Sequence, residues 1–392
     1  MNNNLLVVST RFPHKYDEAS SSFVYNMVNS QKKRYDNIVV LSATPFTPSV
    51  LGPFLKASRK RDAKARDYNY DNVSVHFLKN IYLPFNIGYK FRGHQGFRKA
   101  QGIIKDLGIQ FKYIHGHFSW PTGEICRNLS QQMKIPFFLT IHENRDWLVS
   151  ESSYSYIEKV WREANGLVRV NKIDLDLLRT YNENVIYIPN GFDNSLYSNI
   201  DKFSSRKKLS LGENECIIYT LGNLIPRKGF LNLLKGFKIM TKSHDNVKLF
   251  IGGTGPQESE LKSYINSNNL TNCKLLGYIP NEDLPYWMHA SDIFALTSFS
   301  EGNPTVMFEA LGSGKPVVYT KVGGVPEILM SENYGFLVEN DPYDIAKALS
   351  VAVDKFWDNQ KIKSYGSNFT WEKIESETFD FFTAQSLKVE IR

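Results

Sequence analysis

The sequence predicts an α/β fold made of two doubly wound domains in tandem. Three observations lead there. Short, almost wholly apolar runs alternate with longer amphipathic stretches, the pattern of parallel strands buried on both faces and joined by helices. The alternation begins at 5–10 and begins again at 216–221, after a polar interval rich in Ser and Asn. The length of 392 residues suits two cores of ordinary size.

In the first series the strands fall at 5–10, 38–43, 73–78, 113–118, 136–142, 166–170 and 185–188. Helical candidates lie between them, near 20–34, 90–107, 121–133, 151–165 and 171–181. The second series has strands at 216–221, 247–252, 273–278, 293–297, 316–320 and 335–338. The break between domains is expected between Asn190 and Leu211, with 193–209 an irregular linker. The expected domains are therefore 1–190 and 205–370. The stretch 371–387 carries an amphipathic helical pattern after the last strand.

Composition narrows the class. A hydrophobic fraction of 42% and an aromatic fraction of 14% describe a packed protein, not a disordered one. No run nears the roughly 18 apolar residues of a membrane span. Leu5 to Thr10 follows Met-Asn-Asn-Asn without a basic leader and reads as a buried strand, not a signal peptide. The three cysteines, Cys126, Cys216 and Cys273, imply no disulfide framework and fit a reducing cytosol. In that setting the sequon-like sites at Asn72, Asn128, Asn269 and Asn368 carry no meaning. The net charge of +7 is uneven: Lys56, Arg59, Lys60, Arg61, Lys64 and Arg66 precede Lys79, Lys90, Arg92, Arg98 and Lys99, which are interleaved with aromatic residues. Such a stretch suits an anionic membrane surface or a solvated loop equally. No nucleic-acid-binding signature accompanies it.

The chemistry concentrates in the second series. Ser300-Glu301-Gly302-Asn303-Pro304-Thr305-Val306-Met307-Phe308-Glu309-Ala310-Leu311 puts two carboxylates eight positions apart, one in a loop and one inside the following helix. Pro304 suits a helix's first turn, which places Glu301 just before it, among unpaired N–H groups that favour an anion. Donors for phosphate beside acceptors for hydroxyls suit a nucleotide sugar; alone, the pair also fits a solvated helix face. Upstream, Gly222-Asn223-Leu224-Ile225-Pro226-Arg227-Lys228-Gly229 follows a strand and brings two cations to the edge where open α/β sheets bind ligands. Gly252-Gly253-Thr254-Gly255 closes another strand but lacks the third glycine of a dinucleotide fingerprint. Gly312-Ser313-Gly314-Lys315-Pro316 fails as a P-loop, because Glu309 takes the first glycine position and Pro316 replaces Ser/Thr. In the first series His115 and His117 end a strand, and His142 ends another. None has metal-ligand spacing, so no metal is expected. They read as a polar cluster at the strand edge facing the interdomain cleft, with buried structural histidines the competing reading for His115 and His117.

These residues resemble a family. Ser300–Leu311 is similar to the E-x7-E motif of family 4 of the retaining GT-B glycosyltransferases, the glycosyl transferases group 1. The flanking Gly277-Tyr278-Ile279-Pro280, Ala290-Ser291-Asp292-Ile293, Gly314-Lys315-Pro316-Val317-Val318 and Val322-Gly323-Gly324-Val325-Pro326-Glu327 resemble it too, as does Ile188-Pro189-Asn190-Gly191-Phe192-Asp193 at the domain junction. The resemblance implies a GT-B architecture, two Rossmann-like domains facing across a cleft, with the helix 371–392 packing back on the first. It implies a donor side of Gly222, Asn223, Arg227, Lys228, Gly253, Gly302, Asn303, Pro304, Thr305, Val306 and Glu309. There Arg227 and Lys228 would meet the diphosphate, Glu309 the ribose hydroxyls and Glu301 the hydroxyls of the donor sugar. It implies an acceptor side of Ser20, Ser21, Ser22, His115, His117 and His142, with His142 near the reacting sugar. Two positions depart from the family pattern: Asn223 stands where Arg is common, and Asp17 to Ser22 lacks the usual glycines.

The activity so implied is transfer of a hexose, with retention and without metal or other cofactor. A UDP- or GDP-sugar would be the donor and a glycan or lipid-linked molecule the acceptor, in polysaccharide or glycoconjugate synthesis. The expected location is cytoplasmic, with peripheral contact at the inner face of the plasma membrane through 56–99. The alternatives are a nucleotide-sugar-binding protein of the same fold without catalysis, and a nucleotide-sugar epimerase or phosphorylase. No complete G-x-G-x-x-G follows a strand, which disfavours a nicotinamide dehydrogenase.

Overall fold

A computed structural model describes residues 3–17, 21–46, 62–82, 88–151 and 154–390. The chain divides into two compact units, one of 1–189 with 372–392 and one of 190–371. Every strand expected from the apolar runs is present.

The first unit is built on an eight-stranded sheet ordered β10-β9-β8-β7-β1-β2-β5-β4. The strands are β1 (Leu5–Ser9), β2 (Ile38–Ser42), β4 (Tyr68–Tyr70), β5 (Val73–Phe77), β7 (Tyr113–His117), β8 (Phe137–Ile141), β9 (Gly166–Arg169) and β10 (Val185–Tyr187). All pairs are parallel except β4 with β5, where Tyr68 lies opposite Val75. In β1 all five residues are buried, which is what a two-face-covered strand requires. Two-residue strands β3 (Pro45–Phe46) and β6 (Asn80–Ile81) pair separately. The order reverses between β7 and β1, so the loops after these strands diverge and leave a crevice at the sheet edge.

The helix Trp371–Glu390 belongs to this unit from Glu372 onward. Phe382 stacks on Phe138 of β8 with ring centroids 4.1 Å apart and meets Tyr113 of β7 edge-on. Arg34 grips Glu375 through Nε and Nη2, at 2.6 and 2.9 Å, and lies over the Phe379 ring.

The second unit carries six parallel strands ordered β13-β12-β11-β14-β15-β16. These are β11 (Cys216–Leu221), β12 (Val247–Gly252), β13 (Cys273–Gly277), β14 (Ile293–Leu296), β15 (Val317–Thr320) and β16 (Gly335–Val338). Its order reverses between β11 and β14. The segment 193–209, expected to be irregular, instead holds two short helices of this unit, Asn194–Tyr197 and Lys202–Lys208. Asp193 and Asp201 cap them by accepting from the backbone N–H of Ser195 and Ser204. Arg206 is buried and donates to the main-chain oxygens of Ala290, Gly212 and Glu215, which fixes the segment to the sheet. Short polar helices held by caps leave no hydrophobic periodicity to read.

Candidate functional site

Four loops meet at the C-terminal edge of the second sheet, where its strand order reverses. They follow β11, β12, β14 and β15. Gly222 N–H donates to Gly252 O and Leu224 N–H to Thr254 O, which lays the first loop along the second. Gly253, at φ +124°, is needed there, because a Cβ would stand 1.9 Å from the oxygen of Gly222. Gly324 N–H donates to Gly302 O and joins the fourth loop to the third.

The cation pair sits in the first loop. Pro226–Lys228 forms a single 3-10 turn that ends at Gly229, φ +68°. A side chain at Gly229 would collide with Thr297 O, 1.8 Å from the Cβ position. The loop is further fixed by Thr297 Oγ1 donating to Gly229 O and by Phe299 N–H donating to Arg227 O. The turn therefore holds Lys228 Nζ 2.6 Å from Glu301 Oε1 and Arg227 Nη1 3.3 Å from Glu301 Oε2. Arg227 also donates to the main-chain oxygen of Ser300. The Lys228 side chain is 14% exposed against 47% for Arg227, so solvent screens the arginine far more than the lysine.

Glu301 is held by side chains, not by the helix terminus. Ser298 Oγ donates to its Oε1 at 2.6 Å, beside Lys228. The helix that follows spans Thr305–Gly312, with Pro304 as its N-cap in an extended conformation and not in its first turn. No side chain caps it, and Thr305 and Val306 open its first turn, where backbone N–H groups lack intrahelical acceptors. Asn303 is buried and is tied to Asn190 by two hydrogen bonds, Asn190 N–H to Asn303 Oδ1 at 2.9 Å and Asn190 Nδ2 to Asn303 O at 3.0 Å.

Glu309 lies further along the same helix, partly buried. Burial pushes its carboxyl up to about 7, and the Tyr197 hydroxyl acts in the opposite direction. A carboxylate so placed is short of hydrogen-bond donors in its charged form. Asn223 is exposed at the mouth of the first loop.

In the first unit the histidines separate. His115 is fully buried beneath the Phe382 ring, with Nε2 2.8 Å from Thr140 Oγ1, and burial pushes its imidazole down to about 3. It is an interior group, not one presented at the sheet edge. His117, 2% exposed, stacks with His142 and has Nδ1 3.1 Å from His142 Nε2. Burial holds both rings neutral. His142 is the outermost of the three, half-buried against Phe23 and Phe118. Ser21 has φ 51° and precedes the helix Ser22–Gln31, whereas Ser22 is exposed. Ser20 lies outside the described residues.

Beside His142 is a pocket of about 260 Å³ lined by Thr10, Arg11, Ser21, Tyr89, Phe118, Trp120, Glu143 and Trp147. Glu143 accepts from the backbone N–H of Ser119 and His142 at 2.5 and 3.1 Å, while burial raises its pKa. Four aromatic side chains around a carboxylate and hydroxyls suit a ring with one apolar face and a polar rim. The motifs did not single out Trp120, Glu143 or Trp147, because the residues approach from loops after different strands. Ser298 and Tyr197 escaped for the same reason. Among the described residues no group of three or more His, Cys, Asp or Glu side chains is placed to hold a metal ion.

Residues 201–368 match the family Glycosyl transferases group 1. The chain is 24% identical over 387 residues to TuaC of Bacillus subtilis (strain 168), a protein described as a teichuronic acid biosynthesis glycosyltransferase, covering 95% of this chain and 94% of that one. It is 26% identical over 344 residues to the phosphatidylinositol N-acetylglucosaminyltransferase GPI3 subunit of Saccharomyces cerevisiae (strain YJM789), covering 80% and 73%. Among solved structures, sucrose-phosphate synthase from Thermosynechococcus elongatus superposes with TM-score 0.71 at 16% identity, over 98% of this chain and 99% of that one. Anabaena HepE in complex with UDP and glucose superposes with TM-score 0.63 at 19% identity, over 100% and 99%. The second unit thus matches the glycosyl transferases group 1 family, and the chain is similar over its length to glycosyltransferases and shares their GT-B fold.

Proposed function

We propose that the protein transfers a hexose, with retention, from a UDP- or GDP-sugar to a glycan or lipid-linked acceptor. The observation that carries this reading is the Arg227–Lys228–Glu301 constellation at the strand-order reversal, with Glu309 on the helix just beyond. Two cations answer a diphosphate, and two carboxylates answer the hydroxyls of two sugars, one on each side of it. In this reading Lys228 and Arg227 stabilise the charge that builds on the leaving diphosphate, with the N-terminus of the helix Thr305–Gly312 beside them. No divalent metal is then needed for that charge. Glu301 is engaged by Lys228 and Ser298, which suits holding donor hydroxyls better than attacking the anomeric carbon. Retention then follows from attack on the face the diphosphate leaves, without the carboxylate nucleophile of retaining glycosidases. Titration with UDP, GDP and their sugars tests the donor. Proton NMR of the first product formed tests the stereochemistry, and an inverted anomeric centre would reject retention.

The acceptor is assigned to the aromatic pocket beside His142, where Trp147 and Trp120 give stacking faces and Glu143 an acceptor for hydroxyls. Trp147→Ala should raise the KM for a glycan acceptor on the order of tenfold while leaving slow donor hydrolysis unchanged. A fall in hydrolysis equal to the fall in transfer would remove the pocket from acceptor binding.

The match to proteins named for teichuronic acid synthesis and phosphatidylinositol glycosylation supports an acceptor in cell-surface or lipid-linked glycan synthesis. Exposed Phe91 and the cations Lys90, Arg98 and Lys99 would hold the protein peripherally on an anionic membrane, with a cytoplasmic location. Lys56, Arg59, Lys60 and Arg61, the start of the basic stretch, lie outside the described residues. No described helix is long and apolar enough to cross a membrane. Arg98→Glu should weaken co-sedimentation with phosphatidylglycerol vesicles on the order of tenfold, each basic residue near the surface contributing about 1 kcal/mol. Equal sedimentation of wild type and variant would refute the contact.

A further inference from the structure

Strand β14 runs out into Thr297 and Ser298, and their side chains hold different halves of the Lys228–Glu301 pair. Both residues are fully buried. Thr297 Oγ1 donates to Gly229 O at 2.9 Å, on the residue after Lys228, and Ser298 Oγ donates to Glu301 Oε1 at 2.6 Å. The main-chain oxygens of this dipeptide are taken as well. Thr320 Oγ1, at the end of β15, donates to Ser298 O at 2.6 Å. Asn340 Nδ2, two residues beyond β16, donates to Thr297 O at 2.6 Å. The separation of lysine and carboxylate is therefore set through one dipeptide, gripped from β15 and from the loop after β16.

Asn340 is itself a fixed group. Thr297 O can only accept, so the amide must turn its Nδ2 toward it and its Oδ1 away. Asn232 Nδ2 meets that Oδ1 at 2.8 Å and the main-chain oxygen of Asn340 at 3.1 Å. Asn232 lies in the first turn of the helix Phe230–Met240, which Gly229 opens, and its N–H donates to Gly229 O. Asn340 precedes the helix Pro342–Asp354, where the Asp341 carboxylate caps the first turn by accepting from the N–H groups of Tyr343 and Asp344. The two helices lie close: a Cβ on Gly236 would stand 2.7 Å from the Ile345 side chain. The two amides thus join the ends of packed helices to the turn that carries Arg227 and Lys228.

Building on the donor site above, we propose that Asn340 is a positioning residue for Lys228: backed by Asn232, it holds Thr297 against Gly229 and so fixes the ammonium relative to Glu301 and the leaving diphosphate. A lysine stem is long and flexible, so its charge is placed for a transition state only when the stem starts from a fixed point. Gly229, at φ +68°, allows the close approach to Thr297 O. Asn340 Nδ2, 3.1 Å from the Gly229 Cβ position, closes the same contact from the other side. The relay bonds main-chain oxygens and leaves the side chains of Arg227, Lys228 and Glu301 chemically intact. Its loss should therefore appear in kcat and not in donor affinity.

The test is steady-state hydrolysis of radiolabelled UDP-glucose and GDP-mannose by the full chain, read as kcat and KM. Asn340→Ala should lower kcat about tenfold with donor KM within about twofold of wild type, the size of one hydrogen bond that matters in the transition state. Asn340→Asp keeps the shape and the bond from Asn232 but turns an oxygen to Thr297 O, and should lose at least as much. Asn232→Ala leaves Asn340 bonded to Thr297 and should lose about threefold. The decisive arm is the double variant. In Lys228→Ala the ammonium is gone, so adding Asn340→Ala should change kcat by less than about twofold. A general loosening of the second unit would give the same tenfold in both backgrounds.

A wild-type kcat in Asn340→Ala, a rise in KM with kcat intact, or an equal loss with and without Lys228 would overturn the role given to Asn340 alone. Turnover of neither sugar by the wild type, or wild-type turnover by Lys228→Ala, would instead overturn the donor-site reading and the inference with it.

Discussion

Glu309→Ala should weaken binding of the donor nucleotide about a hundredfold, with UDP or GDP as well as with their sugars. Glu309 stands on a helix whose neighbours are apolar, and burial raises its carboxyl while the Tyr197 hydroxyl opposes that shift. Two ribose hydroxyls donating to its carboxylate would supply hydrogen bonds to a charged acceptor, each worth on the order of 1.5–3 kcal/mol. Part of that gain is offset because alanine also removes the cost of burying the charge. A net loss near 2.7 kcal/mol corresponds to about a hundredfold in Kd. Titration of the variant with UDP and with 2′,3′-dideoxy-UDP checks the assignment: the variant should no longer distinguish the two. A variant that still prefers the hydroxylated nucleotide as strongly as the wild type would move ribose recognition elsewhere. The sign of the pH effect follows from the raised carboxyl. Glu309 is largely protonated below about 7, so donor affinity should fall as pH drops through that value and hold steady above it.

Lys228→Ala is expected to act on rate. With its side chain 14% exposed and its Nζ 2.6 Å from Glu301, Lys228 is the less screened of the two cations. Charge on the diphosphate grows as the glycosidic bond breaks, so a fixed cation stabilises the transition state more than the bound donor. The loss should be about 10²–10³ in kcat, with donor KM changing far less. Arg227→Ala should cost less, because its guanidinium is half in solvent. A large rise in KM with kcat intact would make Lys228 a ground-state binding residue. The variant also leaves Glu301 with Ser298 and the screened Arg227 as partners, and Lys228→Ala/Glu301→Gln separates that effect.

Much of this was legible in the sequence, and the reason is burial. A strand covered on both faces must be apolar throughout, so β1, β8 and β14 announce themselves in a handful of residues. Strands β3, β4 and β6 do not, because two or three residues carry no pattern. The Glu301–Glu309 stretch and the Arg227–Lys228 turn could be found because each is continuous in the chain. Their meeting through Lys228 and Glu301 required the turn at Gly229 to lie on Thr297, a contact between strands far apart in sequence. The placement of Glu301 shows the limit: a Pro three residues later pointed to the helix terminus, whereas Lys228 and Ser298 hold the carboxylate. His115 shows another. A histidine ending a strand reads the same whether its ring meets solvent or the underside of Phe382, and only the helix returning from the other end of the sequence decides it.

That returning helix bears on how the protein comes into being. On the ribosome the first 189 residues emerge early, yet the faces of Phe138 and Tyr113 wait for Phe382, and Arg34 waits for Glu375. The second unit, continuous from 190 to 371, has all its strands in hand sooner. The usual order of vectorial folding, first made and first finished, is therefore inverted here. The N-terminal sheet must survive synthesis of the whole second unit with an apolar face uncovered. A nonsense mutation near position 370 would damage most the unit translated longest before it.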